Sequence, residues 1–185
     1  YLYSRGAYSV AQLGRSSDGA SDIGGAHYTT EAGYVLRNMD FDDGVSWFWV
    51  NNDGRMSDVT DAQRRLVNVA YSTPSPGAGL CAMWVSRVFA NAGYAYASGN
   101  ANDMYNAWCT SSNKGYLQPG MVIAVSTHRH TTAGRIYGHI GIYIGNGMVM
   151  QNVGSITTQS LNDWIAYYGT TVTPRWGWLM GISLR

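Results

Sequence analysis

The stretch from His139 to Gly147, HIGIYIGNG, constrains the fold more than any other part of the chain. Ile140, Ile142 and Ile144 alternate with Gly141 and Tyr143. This period of two predicts a strand with the isoleucines on one face and His139 on the other. Gly145-Asn146-Gly147 predicts a hairpin turn into a second strand over Met148–Asn152. The turn sets the two strands side by side, so Gln151 or Asn152 falls roughly across from His139. Strand alternation lets only one of the two face it. A further strand is expected over 121–126, after the Pro119-Gly120 turn, and the segment from Trp176 to Ser183 is expected to close the sheet.

Helical patterns come earlier in the chain. Thr60-Asp61-Ala62-Gln63 has the form of a capping box, with Thr60 as N-cap and Gln63 reaching back. Leu66, Val67 and Ala70 then supply an apolar face. The run from Tyr71 to Gly79, rich in Ser, Pro and Gly, predicts a loop. A second helix is expected over Cys81–Ala92, with Trp84, Val85, Val88 and Phe89 on one face and Gly93 at the C-terminal stop. Further helices are expected over Ala101–Trp108 and Leu161–Tyr168, and a polar loop carries His128 and His130. Helices followed by antiparallel strands predict an α+β fold.

The first 57 residues have a different texture, and the boundary is placed there: 1–57 as a β-hairpin repeat region, 58–185 as the α+β domain. An aromatic followed five positions later by Gly recurs as Tyr1 with Gly6, Tyr28 with Gly33 and Trp49 with Gly54. Units of roughly 20 residues suggest hairpin repeats, and Asn51-Asn52-Asp53-Gly54 is a hairpin-turn sequence. These units resemble the degenerate repeats of choline-binding and glucan-binding wall modules, which implies contact with wall polysaccharide. The same pattern also suits a plain β-rich subdomain.

Composition narrows the function classes. The net charge is +1 and charged residues make up only 12% of the chain, so nothing favours a nucleic acid as partner. No stretch approaches the roughly 20 apolar residues of a membrane span. The chain starts at Tyr1 without Met and is rich in Gly and Tyr. It reads as a fragment of a longer exported protein, secreted or wall-associated, and as a monomer. Two cysteines do not make a disulfide framework in a chain this long.

Cys81 follows a Gly-rich loop and opens a helix, where unsatisfied amides and the helix dipole favour a thiolate. The same amides suit the oxyanion formed on attack. His139 is the candidate base, and Gln151, with Asn152 as the alternative, the group that fixes its tautomer. Tyr71, Trp84 and His128 are candidate contacts to substrate in the cleft. His128 and His130 lack a third ligand at a suggestive spacing, so neither a metal nor a cofactor is expected. Cys109 is expected to be buried or free; a bridge to Cys81 would disable the nucleophile.

Three blocks occur in order: Gly79 to Val85 (GLCAMWV), Leu117 to Gly120 (LQPG), and Gly138 to Gly147 (GHIGIYIGNG). Together they are similar to the NlpC family of cell-wall cysteine peptidases and the related CHAP amidase/peptidase domains, over about residues 60–185. The resemblance implies a papain-like fold, peptidoglycan as substrate, Cys81 as nucleophile, His139 as base and Gln151 as third residue. The first block and the segment from Asn100 to Trp108 look more like CHAP domains. NlpC enzymes usually carry Asp before the cysteine and Ser after it, a pair associated with recognising a free amino end. Leu80 and Ala82 stand there instead, which puts that specificity in doubt. The function expected is amide hydrolysis in or next to the stem peptide. A papain-like acyltransferase of transglutaminase type and a non-catalytic wall-binding module are the alternatives.

Overall fold

The computed structural model describes residues 56–185 continuously and, before them, the strand segments 13–16, 27–30, 39–42 and 47–50, with side chains from Val59 onward. The chain divides into two compact units, Tyr1–Val59 with Lys114–Tyr116, and Thr60–Asn113 with Leu117–Arg185.

In the first unit, β1 (Leu13–Ser16) pairs antiparallel with β2 (His27–Thr30). The strands β3 (Met39–Asp42), β4 (Trp47–Val50) and β5 (Met56–Asp58) form an antiparallel sheet in that order. Tyr28 and Trp49 of the repeat units lie on β2 and β4. Tyr1, the three repeat glycines and the Asn51–Gly54 turn lie outside the described residues.

The second unit opens with α1 (Asp61–Ser72), and its capping box forms as expected: Gln63 N donates to Thr60 Oγ1 at 3.1 Å and Thr60 N to Gln63 Oε1 at 3.0 Å. The helix runs through Tyr71 and Ser72, so the loop before Cys81 starts later than the Ser- and Pro-rich composition suggested. It is followed by α2 (Cys81–Asn91) and α3 (Ala101–Trp108). The sheet consists of β6 (Val122–Val125), β7 (His139–Gly145), β8 (Met148–Asn152), β9 (Ile156–Ser160) and β10 (Arg175–Gly177), in the order β10-β6-β7-β8-β9 with every pair antiparallel. Two helices complete the unit, α4 (Thr132–Tyr137) and α5 (Leu161–Tyr168).

The two faces of the sheet bury different partners. Ile140, Ile142 and Ile144 of β7 join Val122, Ala124 and Met150 in one core with Leu66 of α1, Trp84, Val88 and Phe89 of α2 and Met104 of α3. Alternation turns His139, Gly141 and Tyr143 to the opposite face, where α5 packs on β8 and β9. The result is an α+β domain with a cysteine-bearing helix against a histidine-bearing antiparallel sheet, a papain-like arrangement. At the β7–β8 turn Asn146 and Gly147 take φ of +53° and +65°, as a two-residue turn of type I′ requires.

Three further segments differ from the sequence reading. Trp176–Ser183 is not a strand throughout: only β10 pairs with β6, and a short 3-10 turn at Leu179–Gly181 follows, with Met180 at φ +56°. The Thr- and Gly-rich stretch after His130 contains α4 where a polar loop was expected. Its N-cap is Thr131, whose Oγ1 accepts Gly134 N at 2.8 Å. An additional edge strand, β9, covers the polar sequence ITTQS. No helix among the described residues is long and apolar enough to cross a membrane.

Candidate active site

Cys81 is the first residue of α2, and Leu80 as N-cap offers no side-chain oxygen to the first-turn amides. Those amides are therefore free to serve the sulfur. Burial pushes the Cys81 thiol up, while the backbone N–H groups of Ile140, Ala82 and Cys81 itself are directed at the sulfur and pull the other way. Burial wins, so helix position alone does not make the resting group a thiolate, contrary to the expectation from sequence. The Ile140 amide acts on the sulfur to lower its pKa, and Ile140 is the immediate neighbour of His139 on β7.

His139 is buried and donates or accepts at Nε2 across 2.8 Å to Gln151 Oε1. Gln151 pairs with Gly141 in the β7–β8 register, so His139 reaches it along the diagonal of the same face. A second bond settles the tautomer. The Trp164 indole N–H, which can only donate, also points at Gln151 Oε1, at 2.8 Å. That atom is therefore the amide oxygen, and the Gln151 amide nitrogen donates to Gln159 Oε1 at 3.1 Å. With an oxygen opposite it, His139 Nε2 carries the proton, and Nδ1 keeps its lone pair. Burial lowers the His139 pKa to about 4, opposed by the Gln151 hydrogen bond and assisted by His128. The imidazole is neutral at pH 7, with Nδ1 ready to take a proton.

Asn152 faces the other way. Its Oδ1 accepts from Ser75 Oγ at 2.7 Å and from Gly154 N at 3.2 Å, and its Nδ2 donates to the Gly77 carbonyl at 2.8 Å. It fastens the loop that delivers Cys81 to its helix and makes no bond to His139. Adjacent residues of β8 thus hold opposite halves of the site.

Two aromatic side chains complete the surroundings of His139, and the sequence reading did not place Tyr168 there. The Tyr168 ring stacks on the imidazole with centroids 4.4 Å apart and planes 20° apart. Trp164 lies next to it, its ring centroid 6.1 Å from that of His139. Burial, with Tyr167 and Cys81 nearby, raises the Tyr168 pKa, so its hydroxyl stays protonated. Their spacing of four on one short helix was the available signal, since such residues share a face.

The three predicted cleft contacts separate. His128 lines the same cleft as Cys81, His139 and Tyr168, a space of about 540 Å³. Its ring meets that of His139 edge-on at 6.0 Å, and its Nδ1 accepts the His130 N–H at 3.3 Å. A Cβ on Gly134 would sit 2.1 Å from the His128 ring, so glycine makes room for it there. Trp84 is not a cleft residue: it is 0% exposed, with its indole N–H bonded to the Thr73 carbonyl at 3.1 Å. Tyr71 is not one either, since it lies 48% exposed in the last turn of α1 and is not among the residues lining the cleft. His130 bonds the Tyr167 carbonyl through Nε2 at 2.6 Å and stacks on the Tyr167 ring. Both cysteines are free thiols. Cys109 is buried, and burial pushes it up to about 12.

No protein-family model and no curated protein matches the chain. Among solved structures it is similar to NlpC1 from Trichomonas vaginalis, with a TM-score of 0.45 and 14% identity over 73% of this chain and 60% of that one. It is also similar to NlpC2 from the same organism, with a TM-score of 0.44 and 15% identity over 72% of this chain and 62% of that one. The matched regions thus span less than two thirds of the length of those structures.

Proposed function

We propose that the protein is a cysteine hydrolase of bacterial cell-wall peptidoglycan, with Cys81 as nucleophile, His139 as base and Gln151 as the residue that orients it. The observation that carries this reading is the tautomer lock: Trp164 fixes the Gln151 amide, Gln151 fixes His139 as the Nε2–H form, and Nδ1 is left for a thiol whose amide partner is the residue next to His139. Peptidoglycan as substrate rests on the sequence blocks around Cys81 and His139, and action outside the cell rests on composition. Wall-polysaccharide contact by the first 57 residues rests on the aromatic–glycine spacing.

In the reaction, Cys81 Sγ attacks the amide carbonyl and its proton passes to His139 Nδ1. The tetrahedral oxyanion forms beside the first-turn amides of α2. The amine leaves with the proton from His139, and a thioester remains on Cys81. Water then attacks the thioester, gives its proton to His139 and releases the carboxylic acid, and the thiol is restored.

Digestion of defined peptidoglycan fragments with mass analysis of both products tests the reading. Hydrolysis yields two fragments whose masses sum to substrate plus one water. A condensed product in the presence of an amine would show acyl transfer instead.

The state of the pair sets the pH dependence. His139 must be neutral to accept the proton, and it is neutral above about pH 4. The acid limb of kcat/KM, which reports the free enzyme, is therefore expected near pH 4, well below the ordinary histidine value of about 6.5. Folding responds in the same direction. The unfolded chain protonates His139 at about 6.5 and the folded one at about 4, so the contribution of His139 to stability is full above pH 6.5 and declines as pH falls between these values. Rates must accordingly be taken on folded protein, checked by circular dichroism at each pH. An acid limb near 6.5 would contradict the assignment of His139 as a buried neutral base.

A further inference from the structure

The cleft that holds Cys81 and His139 contains no Asp, Glu, Lys or Arg among the described residues that line it. Its polar side chains are neutral, as with Ser98, Asn100 and Thr131, and its titratable groups are Cys81, two histidines and three tyrosines. The nearest acid along the chain on the α3 side, Asp103, caps its helix, accepting Asn100 N at 2.8 Å, and is not among the lining residues. On the α4 side Arg135 donates to the Arg129 carbonyl at 3.4 Å. A charged group entering such a space meets no counter-charge among these described residues, and the hydration it sheds against the buried His139 and Tyr168 is costly. An uncharged amide segment loses far less. A fixed field acts at the sulfur, where the first-turn amides of α2 present partial positive charge.

We infer that this cleft selects an internal amide flanked on both sides by uncharged groups, and that neither a free amino terminus nor a free carboxylate sits in it during the reaction. That selection rests on the hydrolase reading for its chemistry, but it is a property of the cleft and can be measured without turnover. It goes further than the loss of amino-end recognition implied by Leu80 and Ala82, because it rejects negative charge as well. Amides next to acetylated amines or amidated carboxyls are the substrates, and the same amides with these groups free are not.

The experiment uses three methanethiosulfonates of similar size on the intact chain: hydroxyethyl (neutral), trimethylammonioethyl (cationic) and sulfonatoethyl (anionic). Rates of Cys81 modification are divided by the rates with free cysteine, and Cys81→Ala serves as the blank for Cys109. After this correction the cation should react roughly tenfold or more slowly than the neutral reagent. The anion should be slowed less, about threefold, because the α2 amides offset part of its cost. The exposed Ser98 gives a second handle: Ser98→Asp should raise the ratio of cation to anion rates, and Ser98→Lys should lower it. Either charged reagent matching the neutral one in the native protein overturns the inference, as does a ratio that neither Ser98 variant moves.

A parallel arm offers paired wall fragments differing only in whether the amine or carboxyl beside the scissile amide is capped. Capped fragments should be cut at least tenfold faster. Equal cutting overturns the inference. Cutting of neither, with the reagent pattern intact, overturns the hydrolase reading and leaves the charge selection of the cleft established.

Discussion

His139→Ala is expected to lower kcat/KM on wall fragments by roughly 10²–10⁴-fold, the range that general acid–base groups contribute. The loss has a specific cause. Without the imidazole the Cys81 proton loses its proposed acceptor, and burial keeps the thiol protonated near neutral pH. A cysteine activated solely by its helix would lose less, because the amides of Cys81, Ala82 and Ile140 remain. Added imidazole should restore part of the rate, since the removed ring leaves space between Tyr168 and Gln151. Rescue separates loss of the base from loss of the fold. A variant with native circular dichroism and unchanged kcat/KM would remove His139 from the reaction.

Trp84→Ala is expected to act on stability and not on substrate binding, with a cost of about 3–5 kcal/mol, as for other buried Phe and Trp truncations. Trp84 is fully buried among the helices and the sheet and donates to the Thr73 carbonyl, so the truncation leaves both a cavity and an unpaired acceptor. Against a typical total stability of 5–15 kcal/mol this is a large share. Urea unfolding checks it: the midpoint should fall markedly, with KM for the folded fraction close to that of the native protein. A raised KM with an unmoved midpoint would return Trp84 to the cleft.

These two residues illustrate what the sequence discloses. The strand and turn from His139 to Asn152 are legible because a period of two and a glycine-flanked Asn leave few alternatives, and they bring Gln151 to the face that carries His139. The apolar stripe of α2 already places Trp84 with Val85, Val88 and Phe89, which is the core face it occupies; proximity in sequence to Cys81 is what misleads. The α+β architecture follows from the order of helical and alternating patterns. Contacts between distant elements were not legible. Tyr168 and Trp164 reach His139 only because α5 crosses the second face of the sheet, and a helix of eight residues carries too little periodicity to say which neighbour it will meet. The edge strand β9 is polar and only partly buried, so it lacks the alternation that marks its neighbours. The thiol's raised pKa was also hidden, because helix position is a local feature and burial is not.

The role of Asn152 follows the same logic. Alternation left Gln151 and Asn152 as exclusive alternatives for the bond to His139, and it is the packing of the 75–77 loop against β8 that occupies Asn152. One residue of the pair thereby orients the histidine, and the other fastens the approach to the cysteine.

The central claim is that Cys81 performs the attack, and purified cell walls test it most directly. The native chain and Cys81→Ala, matched in concentration and in circular dichroism, are incubated with walls, and the release of soluble fragments is followed by mass spectrometry. Fragment release by the native chain and none above background by Cys81→Ala is the result expected. Equal release by the two would contradict it.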